Sequence, residues 1–215
     1  MSIDRTRVKA LSQPLIDKIS KALGVPERPV RFRLTTNAFY ARTTINWPPE
    51  PAIVTISEES LNDLPVLAHE LTHCLVPTRS LLLAEGFATW IGCETRGDCS
   101  DFFFQESTVD DAMRAHLDAL APIRELAAEF PGARRYFDVA ESFRDDVRLA
   151  YLTAASFVKW CTVRHPALPA KTAQRENDDP VALLQDLSGQ TLDQLERAWR
   201  ASLVANAASQ PSASA

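Results

Sequence analysis

The chain has 215 residues, 46% of them apolar and 24% charged, with six glycines, fourteen prolines and four cysteines. This is ordinary globular composition, which excludes collagen-like and low-complexity classes and bounds the chain to one domain with at most a small helical addition. Twenty-eight acidic against 23 basic residues give a formal charge of −5, and no run of Lys and Arg exceeds the pair Arg134–Arg135, so nucleic acid is not an expected partner.

The first ten residues are charged and lead into an amphipathic segment instead of an apolar leader, so the expected location is cytoplasmic. No window reaches the roughly 18 apolar residues of a membrane helix, and no membrane partner is expected. Without an export signal the cysteines are expected to stay reduced, although Cys93 and Cys99 enclose a loop short enough to close under oxidation.

In chain order, Val8, Leu11, Leu15, Ile19 and Leu23 recur at spacings of three and four, predicting a helix over 4–23 that Gly24 and Pro26 stop. From Val30 the period changes to two, predicting strands over 30–34 and 39–47 joined near Asn37. The Pro48–Pro51 run reads as a loop, and 52–57 as a third strand. Lying just before the next helix, that third strand is expected at a sheet edge, open to an extended peptide by strand addition. Helical patterns then cover 61–76, 80–95, 108–130 with a break at Pro122, 140–164, 179–187 and 191–206. Thr191 and Gln194 form a capping-box pair for the last. Strands followed by a run of helices is the α+β arrangement: a short N-terminal sheet and a mainly helical C-terminal half. Residues 1–205 are expected to form a single domain, and the small polar segment 206–215 a disordered tail.

Within the first helix after the strands lies His69-Glu70-Leu71-Thr72-His73. Residues four apart share one helix face, so both imidazoles can reach one metal ion, with Glu70 angled toward an adjoining water position. Two imidazoles and a carboxylate make a tetrahedral zinc site with one position open. The pattern arises by chance in about 0.4% of shuffles of this sequence. A solvated helix with two incidental histidines is the competing reading, but the flanks Leu64, Val66, Leu67, Leu71, Leu75 and Val76 are apolar, and a half-buried pair of imidazoles without a partner is costly.

The third ligand is expected to be Glu85, twelve residues after His73. Ala84, Gly86, Ala88 and Gly92 make its helix small-sided, which permits close approach to the preceding helix and brings the carboxylate toward the histidines. Glu94, Asp98 and Asp101 are the alternatives. Thr89, four residues after Glu85, faces the same side and could hydrogen-bond a ligand histidine.

His69-Glu70-Leu71-Thr72-His73 followed by Leu83-Ala84-Glu85-Gly86-Phe87-Ala88-Thr89-Trp90 resembles the gluzincin metallopeptidases. The second segment is similar to the Asn-Glu-Gly-Phe-Ala stretch of the aminopeptidase N family, at a shorter spacing closer to that of the peptidase MA-like domains. The likeness extends over about 30–205, through the run Tyr151 to Val158 and the closing Leu192, Leu195 and Trp199. It implies a zincin-like fold in which His69, His73 and Glu85 hold Zn²⁺ and Glu70 acts as general base on a zinc-bound water. By the same resemblance Tyr151 would steady the oxyanion, or else pack in a helical core. The Gly-x-Met-Glu-Asn element that anchors a free amine in the aminopeptidase N family is absent. The implied activity is therefore endopeptidase hydrolysis of a peptide or protein substrate. The alternative is a catalytically inactive zincin-derived module that holds zinc or binds a peptide.

Phe102, Phe103 and Phe104 read as core or interface filling, with a cleft wall as the alternative. His116 reads as a packed histidine. His165 reads as a cation at a helix end that could instead approach the site, and Cys74 as a small buried residue.

Overall fold

The computed structural model describes residues 5–99, 108–128, 144–174 and 179–208. Helix α1 (Arg5–Leu23) turns Leu15, Ile16, Ile19 and Leu23 inward. It ends at Gly24, whose φ of +62° lies in the left-handed region that glycine enters at little cost.

Three short strands follow: β1 (Val30–Leu34), β2 (Ala41–Thr44) and β3 (Ala52–Ile56). They form one sheet in the order β1-β3-β2, with β3 parallel to β1 and antiparallel to β2. The first two strands are joined near Asn37, but they do not pair, and the 39–47 strand shortens to four residues. The expectation that 52–57 forms an edge is overturned, because β3 is central. The reason is burial on both faces: Ala52, Val54 and Ile56 are fully buried and Ile53 and Thr55 half-buried, whereas β1 and β2 alternate half-buried with exposed positions as edge strands do.

The helix expected over 61–76 is two helices, α2 (Glu58–Asn62) and α3 (Leu64–Leu75), because the Asp63 side chain accepts from the Val66 amide and starts α3 afresh, with Pro65 in its first turn. Helix α4 (Leu81–Arg96) is capped by Ser80 and stops at Gly97, φ +96°. Across that stop Cys93 and Cys99 form a disulfide, which corrects the expectation of reduced thiols there. The 108–130 segment breaks into α5 (Val109–Ala115), a 3₁₀ turn at Leu117–Ala119 and α6 (Ile123–Leu126). Helices α7 (Asp145–Arg164), α8 (Leu168–Ala173), α9 (Pro180–Ser188) and α10 (Leu192–Ala208) complete the described chain. The capping box forms as expected, the Thr191 amide donating to Gln194 Oε1 at 2.8 Å and the Gln194 amide to Thr191 Oγ1 at 3.3 Å. Residues 206–208, expected in the tail, belong to α10, and 209–215 lie outside the described residues.

The architecture is α+β, a short N-terminal sheet followed by a mainly helical region. Helix α3 is its axis: β2 and β3 pack on it, α1 lies beside it, and α4 is sandwiched between α3 and α7. Leu67, Leu71 and Leu75 of α3, Phe87 of α4 and Phe157 of α7 are buried along these seams. The two late motifs meet at Ser156 of α7, which donates to Asp110 and accepts from the indole N–H of Trp199 of α10. Among the described residues no helix is long and apolar enough to cross a membrane.

Candidate metal centre

Helical spacing puts His69 and His73 one turn apart on α3, and α4 brings Glu85 against them. The two Nε2 atoms are 3.1 Å apart, and Glu85 Oε2 lies 3.4 Å from His69 Nε2 and 3.6 Å from His73 Nε2. The imidazole rings stand nearly perpendicular, 82° between planes. All three side chains are largely sequestered, 12, 10 and 16% exposed for His69, His73 and Glu85.

These spacings test the fit of a metal. A tetrahedral ion with bonds of 2.0–2.1 Å holds its ligand atoms about 3.3–3.4 Å from one another, so three donors at 3.1, 3.4 and 3.6 Å already stand close to the edges of such a tetrahedron. Among the described residues this is the group of three His, Cys, Asp or Glu side chains placed to share an ion.

The electrostatics agree with the geometry. Burial alone would lower the His73 pKa, but the Glu85 carboxylate, by its charge and a hydrogen bond, and the charge of Glu70 together raise it above the ordinary imidazole value. Burial alone would raise the Glu85 pKa, yet the charge of His73 and hydrogen bonds from His69 and His73 hold it well below the usual carboxylate range. Glu85 is thus an ionised carboxylate that favours positive charge at the histidines, and a divalent cation answers that demand more fully than a proton.

Glycine at position 86 places α4. A Cβ there would stand 2.6 Å from Val158 Cγ2 and 2.8 Å from the Ala154 carbonyl oxygen. The close approach that the small-sided helix makes at Gly86 is therefore to α7, behind it, and not to the preceding helix as expected. Clamped between α7 and α3, α4 presents the neighbouring Glu85 toward the histidines.

Glu70 is 7% exposed. Its Oε2 accepts a 2.6 Å hydrogen bond from Thr43 Oγ1, whose hydroxyl also lies 3.0 Å from the Glu70 carbonyl oxygen. Thr43 is on the inward face of the edge strand β2, and nothing in the sequence pattern singles it out. The signal was only its phase in the β alternation, which says that it points inward but not which helix residue it meets. Arg28 is a second such residue. Its guanidinium donates to the carbonyls of Cys74, Asn46 and Glu50, tying the β2–β3 connection to the end of α3.

The alternatives to Glu85 lie elsewhere. Glu94 accepts from the Trp90 indole at 3.4 Å and pairs with Lys159 at 3.3 Å, and Asp98 pairs with Arg96. Asp101, with Phe102, Phe103 and Phe104, lies outside the described residues. The Thr89 hydroxyl is buried with no hydrogen-bond partner among the described residues, so it makes no bond to a ligand histidine. Tyr151 is buried on α7, 6% exposed. Burial pushes the Cys74 thiol up to about 12, and its sulfur is not among the donors that converge, which are His69, His73 and Glu85. His116 caps the C-terminus of α5 and His165 that of α7.

The chain matches no protein-family model, no curated protein and no solved structure.

Proposed function

We propose that this chain is a zinc-holding domain whose protein ligands are His69 and His73 of α3 and Glu85 of α4. The observation that carries the proposal is the convergence of the three donor atoms at 3.1, 3.4 and 3.6 Å in a largely buried site. Two imidazoles with one carboxylate suit zinc better than calcium or magnesium, which take oxygen ligands. Elemental analysis of protein purified without a metal-affinity tag should find about one zinc per chain, lost in His73→Ala and Glu85→Ala. Iron at that level, which the same donor types can hold, overturns zinc. No metal even after zinc is added back to folded protein overturns the site.

A second reading, zinc-dependent hydrolysis of peptide bonds, is favoured by one observation. Glu70 is a buried carboxylate one residue from a ligand and close enough to His73 to act on its charge, and metal holding alone does not call for a carboxylate there. Bound zinc supplies a Lewis acid that polarises a carbonyl and acidifies water. Glu70, oriented by Thr43, would take the proton from the attacking water and hand it to the leaving amine. The resemblance adds Tyr151 as donor to the developing oxyanion. Glu70→Gln should keep its zinc and lose cleavage of a peptide library, and Tyr151→Phe should lower the rate with zinc retained. Zinc-loaded wild type that cleaves nothing in that library leaves the holding module as the function.

A further inference from the structure

The sheet has a second face, turned away from the metal centre. The pairing register aligns Arg33 of β1, Thr55 of β3 and Arg42 of β2 in one row across it, and Arg31, Ile53 and Thr44 in the next. The three arginines are exposed, and Ile53 and Thr55 form a half-buried floor between them. None of the strand residues on this face is acidic. Among the described residues none of the three guanidiniums is paired with a carboxylate, whereas Arg7, Arg124, Arg144 and Arg200 each hold one.

Protection of sheet edges accounts for charge on β1 and β2. It does not account for a single sign on both edges of an acidic protein.

We propose that this face is a docking surface for an extended acidic polypeptide segment. Side chains two apart on an extended chain lie on one side, about 6.6–6.8 Å apart, which is also the spacing of Arg31 and Arg33 along β1. Each guanidinium fork can take a carboxylate bidentately. Arg42 lies two strand spacings from Arg33, about 9.6 Å, and takes a third acceptor, while Ile53 and Thr55 receive the segment's smaller groups. A long polyanion such as nucleic acid fits less well, since three cations release few counterions.

The test uses the full chain and a fluorescein-labelled peptide of about ten residues alternating glutamate with serine, followed by anisotropy at low ionic strength. The alternating peptide should bind, and the Arg33→Ser/Arg42→Ser double variant should weaken binding about ten-fold or more, with unchanged melting temperature and metal content. Arg33→Lys, which keeps the charge and removes the fork, should also weaken it. Equal binding of a peptide with the same glutamates in one block overturns the geometric match. Tighter binding of an oligothymidylate of similar length assigns the face to nucleic acid and overturns the proposal. So does self-association that the arginine substitutions abolish, which would make the occupant a second copy of the chain, and so does a double variant that binds like wild type.

Discussion

Replacing Gly86 with alanine sets two physical effects against each other. As an isolated helix position the change should be favourable by about 1 kcal/mol, since alanine is the better helix former. In the folded chain the new methyl would stand 2.6 Å from Val158 Cγ2 and 2.8 Å from the Ala154 carbonyl oxygen, well inside the carbon contact optimum of about 3.5–4.0 Å. Val158 can rotate, but the Ala154 carbonyl is backbone within α7 and yields only if α4 and α7 part. Overpacking costs about 1–3 kcal/mol, and a clash with backbone belongs at the upper end. Against the helix gain this leaves a net loss of about 2 kcal/mol, or a drop of about 4–8 °C in melting temperature for a domain of this size. Parting the helices also displaces the adjacent Glu85, so zinc affinity should fall with stability. Thermal melts of Gly86→Ala with chelator and with saturating zinc, beside a zinc titration, read both effects. A variant that melts at or above wild type in both metal states would refute the reasoning and leave α4 and α7 farther apart than described here.

Thr43→Val removes the hydroxyl that holds the buried Glu70 carboxylate. It should cost about 1–3 kcal/mol of stability with zinc content unchanged, checked by denaturant melts and elemental analysis; an unaltered midpoint would mean that water replaces the hydroxyl. Ser156→Ala leaves the buried Trp199 indole N–H without its acceptor and should cost about 1–3 kcal/mol, read as a lowered denaturation midpoint at unchanged slope. The pH dependence should differ between metal states. In the metal-free chain the raised His73 pKa stabilises the fold below the unfolded value of 6.5 and is lost as pH rises through the folded value. The lowered Glu85 pKa stabilises it above 4.5 and is lost only as pH falls through its folded value. Both contributions are therefore present between 4.5 and 6.5. Zinc competes with the proton on His73, so the rise in melting temperature on adding zinc should be larger at about pH 8 than at about pH 6, and an equal rise at both would remove His73 from the donor set.

Much of the site was legible in the sequence because its information is local. His69 and His73 share a helix face whatever the rest of the chain does, and the apolar flanks fix that face as inward. Glu85 was reachable because a carboxylate on the next small-sided helix is one short connection away. The capping pair Thr191 and Gln194 and the left-handed stop at Gly24 are equally local. The break at Asp63 is a local cap on the Val66 amide, with Pro65 in the same turn, that the run of apolar residues obscured. What failed was chiefly what depends on packing partners, the place of 52–57 in the sheet and the helix against which Gly86 closes. Thr43 and Arg28 were invisible for the same reason. One is set by which helix lies under β2, the other by which loop reaches the end of α3.

By itself the sequence determined most of the element types, though not the short helix α8, together with the α+β class and the pair of histidines four apart, since each follows from periodicities of 3.6 and 2 and from the residues that stop them. Tertiary structure decided that β3 lies in the middle, that α7 clamps α4 through the missing side chain of Gly86, and that Glu85 and not Glu94 or Asp98 stands beside the imidazoles. These outcomes turn on steric fit between segments far apart in the chain, and a close-packed interior specifies that fit only when all the partners are in place.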